Sequence, residues 1–176
     1  KWVMDWASGN AGFAFTGSGS EDPASFPTSS SEEGMVGKCV KLVTKATGDF
    51  GEKQGMPIAA GNLFMGTFNM GNALTDPLKA TKFGVPFEFV PTYLKGYYKY
   101  KAGEVYKDEK GNEVKNKKDT WDIYAIFYET DENTKTLDAT DRFDHPNLIS
   151  IARIEEKDRK ETDEWTEFYL PFVTKP

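Results

Sequence analysis

The residues with most to say about what this chain could bind are its 8 tyrosines and 4 tryptophans. A tyrosine ring offers an apolar plate to the C–H face of a pyranose while its hydroxyl finds a polar partner, and an indole does the same over a larger area. In Leu94 to Tyr100, Tyr97 and Lys99 share one strand parity while Tyr98 and Tyr100 share the other. Trp165 sits beside Glu164 and Glu167, and Trp121 beside Asp119 and Asp122. Indoles next to carboxylates suit a sugar platform with hydrogen-bonding partners, and equally an amphipathic cap on the end of a sheet. Trp2 and Trp6 lie near the start. In Ile58 to Phe68, Asn62 has an amide that can bond hydroxyls. The neighbouring Gly61 and Gly66 equally fit a strand approached closely by another backbone.

Other chemistries are narrowed by counting. A single cysteine, Cys39, rules out an internal disulfide and a cysteine-rich metal site. Its alternation with Val40 and Leu42 places it off their face, as a small packing residue. A single histidine, His145, excludes a two-histidine zinc motif, and any Ser-His-Asp triad would have to run through it. A surface histidine is expected there. A glycosidase needs two carboxyl groups at a defined separation of roughly 5 to 9.5 Å, and no local signature marks such a pair. Asp131, Asn133, Asp138, Asp141 and Asp144 form an oxygen-rich loop where calcium is conceivable. The glycine and closing glutamate of an EF-hand are missing, so a solvated acidic loop with no cofactor is expected.

Length and charge set the frame for these residues. A chain of 176 residues fits one domain, 1–176, with an adequate core. Its 14% aromatic content argues against disorder. The net charge of −6 without a basic stripe argues against nucleic acid or an anionic membrane as partner. The apolar runs are too short to span a bilayer. Position 1 is Lys, so a processed or recombinant piece is expected, and a monomer is the default.

The elements that must hold the aromatic residues read as strands. Short alternating segments are punctuated by Gly, Pro, Asn and Asp about every ten residues. Asp122 to Tyr128 is apolar on both parities, as in a central strand covered on both faces. Lys38 to Thr44 alternates with Val40 and Leu42 towards the core. Leu148 to Ile154 and Trp165 to Phe172 are further strands, the latter carrying Trp165, Glu167 and Tyr169 on one face. Gly17 to Ser31 reads as an exposed, mobile connection. Lys107 to Asp119, with Gly111-Asn112, reads as a hairpin tip. Thr130 to Asn147 is a long crossing loop. Glu155 to Glu164 is a charged hairpin connection or a short helix. Many short strands with long crossings predict an all-β fold, a jelly-roll β-sandwich of two mainly antiparallel sheets.

Taken together, Ser8-Gly9-Asn10, Gly37 to Leu42, Ala59 to Phe68, Phe83 to Phe87, Leu94 to Tyr100, Asp122 to Ala125 and the closing Trp165 strand resemble the putative carbohydrate metabolism domain of Bacteroides surface proteins. The resemblance covers nearly the whole chain. It implies a jelly roll similar to carbohydrate-binding modules. It also implies export to the outer face of the outer membrane or the periplasm, and a parent protein with a lipid anchor. It brings no catalytic residues. The leading expectation is a non-catalytic module binding a polysaccharide or oligosaccharide through Tyr98, Tyr100, Tyr124, Trp165 and Tyr169, with Asn62 and Glu167 as polar partners. A glycoside hydrolase or lyase on the same scaffold, and a structural or adhesive surface module, are the alternatives.

Overall fold

A computed structural model describes residues 5–73 and 75–175. The chain is all-β with a few short helices, and every strand pairing is antiparallel. Among the described residues the pairings form five small sheets, none closed into a barrel, in keeping with the β-sandwich class. No described helix is long and apolar enough to cross a membrane. The residues group into two compact units.

The first unit comprises the described residues up to Val85, with Lys107–Glu113 and Asp138–Thr140. It holds β1 (Trp6–Ala7), β2 (Thr28–Ser31), β3 (Cys39–Leu42), β4 (Lys45–Ala46), β5 (Ile58–Ala59), β6 (Phe64–Phe68) and β7 (Thr81–Phe83). The helices are α1 (Asn10–Phe15), α2 (Gly48–Lys53) and α3 (Pro77–Ala80). The sheet β1-β6-β7 carries the apolar centre, where Phe64 and Phe83 are buried with their rings edge to face at 5.6 Å. Gly66 lies directly opposite Phe83 at φ 139°, and a side chain there would run into the Lys82 carbonyl. That is the close backbone approach its sequence context suggested. Pro77 opens α3, where its missing N–H costs nothing. Asp49 in the first turn of α2 and Lys53 in the last suit the helix dipole.

The second unit comprises Pro86–Tyr106, Val114–Leu137 and the described residues from Asp141 onward. Its strands are β8 (Tyr93–Tyr100), β9 (Tyr124–Tyr128), β10 (Leu148–Arg153), β11 (Thr162–Pro171) and β12 (Val173–Thr174). β10 lies between β12 and β9, and β11 pairs with β8 as a separate two-stranded ribbon. Alternation along β10 buries Leu148, Ser150 and Ala152, and Ile154 and Leu137 are buried as well.

Several expectations are corrected here. Among the described residues β9 pairs with β10 alone, at the edge of its sheet and not as a central strand, and all five of its residues are half-buried. In β3, Val40 and Leu42 face solvent and Cys39 is the half-buried residue, because the strand pairs with the polar β2. Gly17 to Ser31 is not a plain connection, since it holds a 3-10 turn at Pro23–Ser25 followed by β2. Between Glu155 and Glu164 the structure has a 3-10 turn at Glu156–Asp158, and β11 begins at Thr162, ahead of Trp165. The hairpin tip does form, as a Lys107–Glu113 bridge with Gly111 at φ 82°.

Candidate functional site

The β8–β11 ribbon gathers the exposed tyrosines Tyr93, Tyr97 and Tyr169 on one face. Tyr93 pairs with Pro171, Lys95 with Tyr169 and Tyr97 with Glu167. Directly opposed residues share a face, so Tyr93, Lys95, Tyr97 and Lys99 stand with Trp165, Glu167 and Tyr169. Tyr93, Tyr97 and Tyr169 are 52%, 42% and 54% exposed, and Trp165 is half-buried. The Tyr93 and Tyr169 rings lie 4.3 Å apart at 31°, stacked so that each covers one side of the other and the pair offers its outer side as a plate. Between that plate and the far end, Lys95 Nζ meets Glu167 Oε1 at 2.6 Å. At the far end Lys99 Nζ lies 5.2 Å over the Trp165 ring, a favourable cation–π distance.

Ionisation follows from this geometry. The Glu167 carboxylate, by hydrogen bond and by charge, holds the Lys95 ammonium above its ordinary value. Loss of water contact, and then the neighbouring Tyr93 hydroxyl, raises the Tyr169 phenol. The face therefore carries a paired ammonium and carboxylate between its rings.

A bulge sets the position of Trp165. On β8 only Lys99 separates Tyr98 from Tyr100, whereas their partners Thr166 and Thr162 enclose Asp163, Glu164 and Trp165. The Thr162 and Thr166 hydroxyls lie 3.1 Å from one another, and both donate to the Glu164 carbonyl, at 2.9 and 3.1 Å. Bulges re-aim side chains beside functional faces, and here the loop is pinned by two hydroxyls.

The remaining expected residues lie elsewhere. Tyr98 and Tyr100 occupy the ribbon's other face, against Trp121, with ring centroids at 4.2 and 5.9 Å. The Tyr100 hydroxyl and the Trp121 indole N–H are buried without a hydrogen-bond partner. Burial, with Asp119 and Glu161 adding to it, raises the Tyr100 phenol. Tyr124 stands opposite Arg153 in β9, edge-on to Phe143 at 4.9 Å, and burial raises its phenol too. Asn62 lies in the first unit and ties loops together. Its Oδ1 accepts from Gly9 N at 2.8 Å, its backbone N–H donates to Thr28 Oγ1 at 3.1 Å, and its carbonyl accepts from that hydroxyl at 2.8 Å. Asn10 holds the same Thr28 backbone through its own amide. Trp6 is exposed, and Trp2 lies outside the described residues.

Tyr93 and Tyr97 were not among the expected site residues, although the sequence held the signal. Each shares its parity with Lys95 and Lys99, and a pair of lysines two apart marks the solvent side of a strand.

The acidic loop is organised by its own hydrogen bonds. Asp131 accepts from the backbone of Asn133 and Thr134 and from the Asn147 amide, at 2.7 to 2.8 Å, and its acidity is increased accordingly. His145 Nδ1 accepts from Asn147 N at 3.1 Å. Among the described residues no group of three or more His, Cys, Asp or Glu is placed to hold a metal ion. A depression of about 300 Å3 in the second unit is lined partly by Tyr98, Asp158, Lys160, Glu167 and Tyr169. One of about 350 Å3 in the first unit, between Glu52, Pro57 and Gly111, has no aromatic wall.

A family model described as putative carbohydrate metabolism domain matches residues 1–176. No sequence among curated proteins matches significantly. A crystal structure of a putative glycoside hydrolase from Bacteroides thetaiotaomicron VPI-5482 is 57% identical with a TM-score of 0.95, covering 100% of this chain and 50% of its own. A putative glycoside hydrolase from Bacteroides vulgatus ATCC 8482 is 48% identical with a TM-score of 0.89, covering 97% of this chain and 66% of its own. This chain thus spans about half the length of the first and just under two thirds of the second.

Proposed function

Because this chain belongs to the putative carbohydrate metabolism domain family, we propose that it is a non-catalytic glycan-binding module of an exported cell-surface protein, built on a jelly-roll scaffold. The observation that supports this reading is the exposed ribbon face, where Tyr93, Tyr97, Tyr169 and Trp165 flank the Lys95–Glu167 pair. Aromatic plates left in water with fixed polar groups between them match the two sides of a sugar, bare C–H faces and rims of hydroxyls. Isothermal titration against a panel of plant and host glycans tests it. Binding that is weakened by Tyr97→Ala or Trp165→Ala is the expected result. No heat with any glycan refutes it. Protease shaving of intact cells tests the surface location.

A second reading, a glycoside hydrolase, draws on the names of the two solved relatives. A general acid needs a carboxyl whose proton is held more tightly than usual. On the ribbon face the carboxylate, Glu167, is engaged by the Lys95 ammonium at 2.6 Å, an arrangement that suits hydrogen bonding to a ligand more than proton donation. Release of reducing ends from a polysaccharide library by this chain would reverse that preference. An adhesive role has its own support in the solvent-facing Val36, Val40 and Leu42 of the first unit. Cross-linking to surface proteins through these positions would favour it.

A further inference from the structure

The ribbon face has two aromatic stations. One is the Tyr93–Tyr169 plate, and the other is Tyr97 with the Trp165 indole under Lys99. On each strand the stations are separated by four residues, Tyr93 to Tyr97 and Tyr169 to Trp165, which at a rise of about 3.3 Å per residue puts them roughly 13 Å apart. One sugar ring cannot touch both. The space between is taken up by the Lys95–Glu167 pair, whose side chains are 54% and 46% exposed and can hydrogen-bond a ligand from the side. The flanking residues, Thr92 and Pro171 at one end and Lys101 and Asp163 at the other, are also exposed.

We propose that this face takes an internal stretch of an extended, equatorially linked polysaccharide, laid along the strands, rather than a single sugar or a chain terminus. The inference rests on the glycan reading above and specifies its ligand. Equatorial linkages leave both faces of each ring as bare C–H surface and keep the chain ribbon-like. The end sugars of a short stretch then stack on the two stations while the middle one offers its hydroxyls to Lys95 and Glu167. An axially linked chain coils and would leave one station after meeting the other.

Titration of this chain with cello- and xylo-oligosaccharides of increasing length, with the monosaccharides and a cyclodextrin as controls, tests the proposal. Affinity is expected to climb about tenfold or more between disaccharide and tetrasaccharide as the second station is engaged, then to level off. Tyr169→Ala and Trp165→Ala should each remove about tenfold and flatten the dependence on length. Trp165→Phe keeps a smaller plate and should retain part of that dependence, which separates a lost contact from a lost fold. Equal competition by glucose or xylose, or binding of cyclodextrin alone, overturns the proposal and leaves a glycan-binding module standing. Silence towards every saccharide overturns both.

Discussion

Replacing Gly96 by alanine sets two effects against each other. Gly96 lies mid-strand in β8 directly opposite Phe168, and its backbone is in a region open to any residue. Backbone entropy alone predicts that alanine stabilises such a site by about 0.5–1 kcal/mol. A Cβ built there, however, would stand 2.5 Å from Phe168 Cζ and 2.8 Å from Cε1, because the ring lies across the glycine. Overpacking of this kind costs about 1–3 kcal/mol. The group in the way is the tip of a side chain that can swing, so the cost falls below the top of that range. The net expectation is a loss of about 1 kcal/mol, seen as a melting temperature lower by about 2–4 °C for a chain of this size. Thermal unfolding of Gly96→Ala, Phe168→Leu and the double variant forms a closed cycle. Leucine lacks the ring tip, so the double variant should be more stable than the sum of the singles by about 1 kcal/mol. A Gly96→Ala variant that melts higher than the parent, with no coupling in the cycle, would refute the idea that Phe168 covers the glycine.

Gly66→Ala should be far more damaging, by about 3 kcal/mol or more, because φ 139° and the Lys82 carbonyl both oppose a side chain; soluble yield and melting temperature are the checks. Replacing Thr162 and Thr166 together by valine removes the hydroxyl pin of the bulge and should loosen Trp165, lowering its fluorescence anisotropy and its quenching by bound glycan, while serine at both positions restores them. Asp108, Asp131 and Glu161 are held below their ordinary values of 3.8, 3.8 and 4.5, the first by the Asn112 backbone, the second by the Asn147 amide and the third by Lys118. Their contribution to stability is complete above those values and is lost as pH falls through the lower native ones. The urea midpoint should therefore drop between about pH 5 and 3, less steeply in Asp131→Asn.

Strand parity was legible because the period of two is a property of the backbone. It separated Tyr97 and Lys99 from Tyr98 and Tyr100, and it grouped Trp165, Glu167 and Tyr169 correctly. Which parity faces water was harder to read, since both carry large aromatic rings. The partner that covers Tyr98 is Trp121, from a segment with no sequence pattern linking the two. The outward look of Val40 and Leu42 was hidden for a similar reason. Alternation reveals that two faces differ, while burial depends on what lies opposite, and β2 supplies only Thr and Ser. Asn62 shows a third limit. Its amide could as well bind a hydroxyl as a backbone N–H, and the distant Gly9 that claims it has no signature of its own. The short helices α1 and α2 are too brief to carry a 3.6-residue stripe.

The pairing of Tyr93 with Pro171 has a consequence for biogenesis. The two halves of the aromatic surface come from strands far apart in the sequence, so the ribbon closes by a long-range contact of the kind that folds slowly. Until β11 has been synthesised, Tyr93 and Tyr97 sit on an unpaired edge that a chaperone would have reason to shield. The aromatic surface is thus complete only once β11 has paired, and a truncation before Thr162 would leave most of the other strands encoded but that surface unmade.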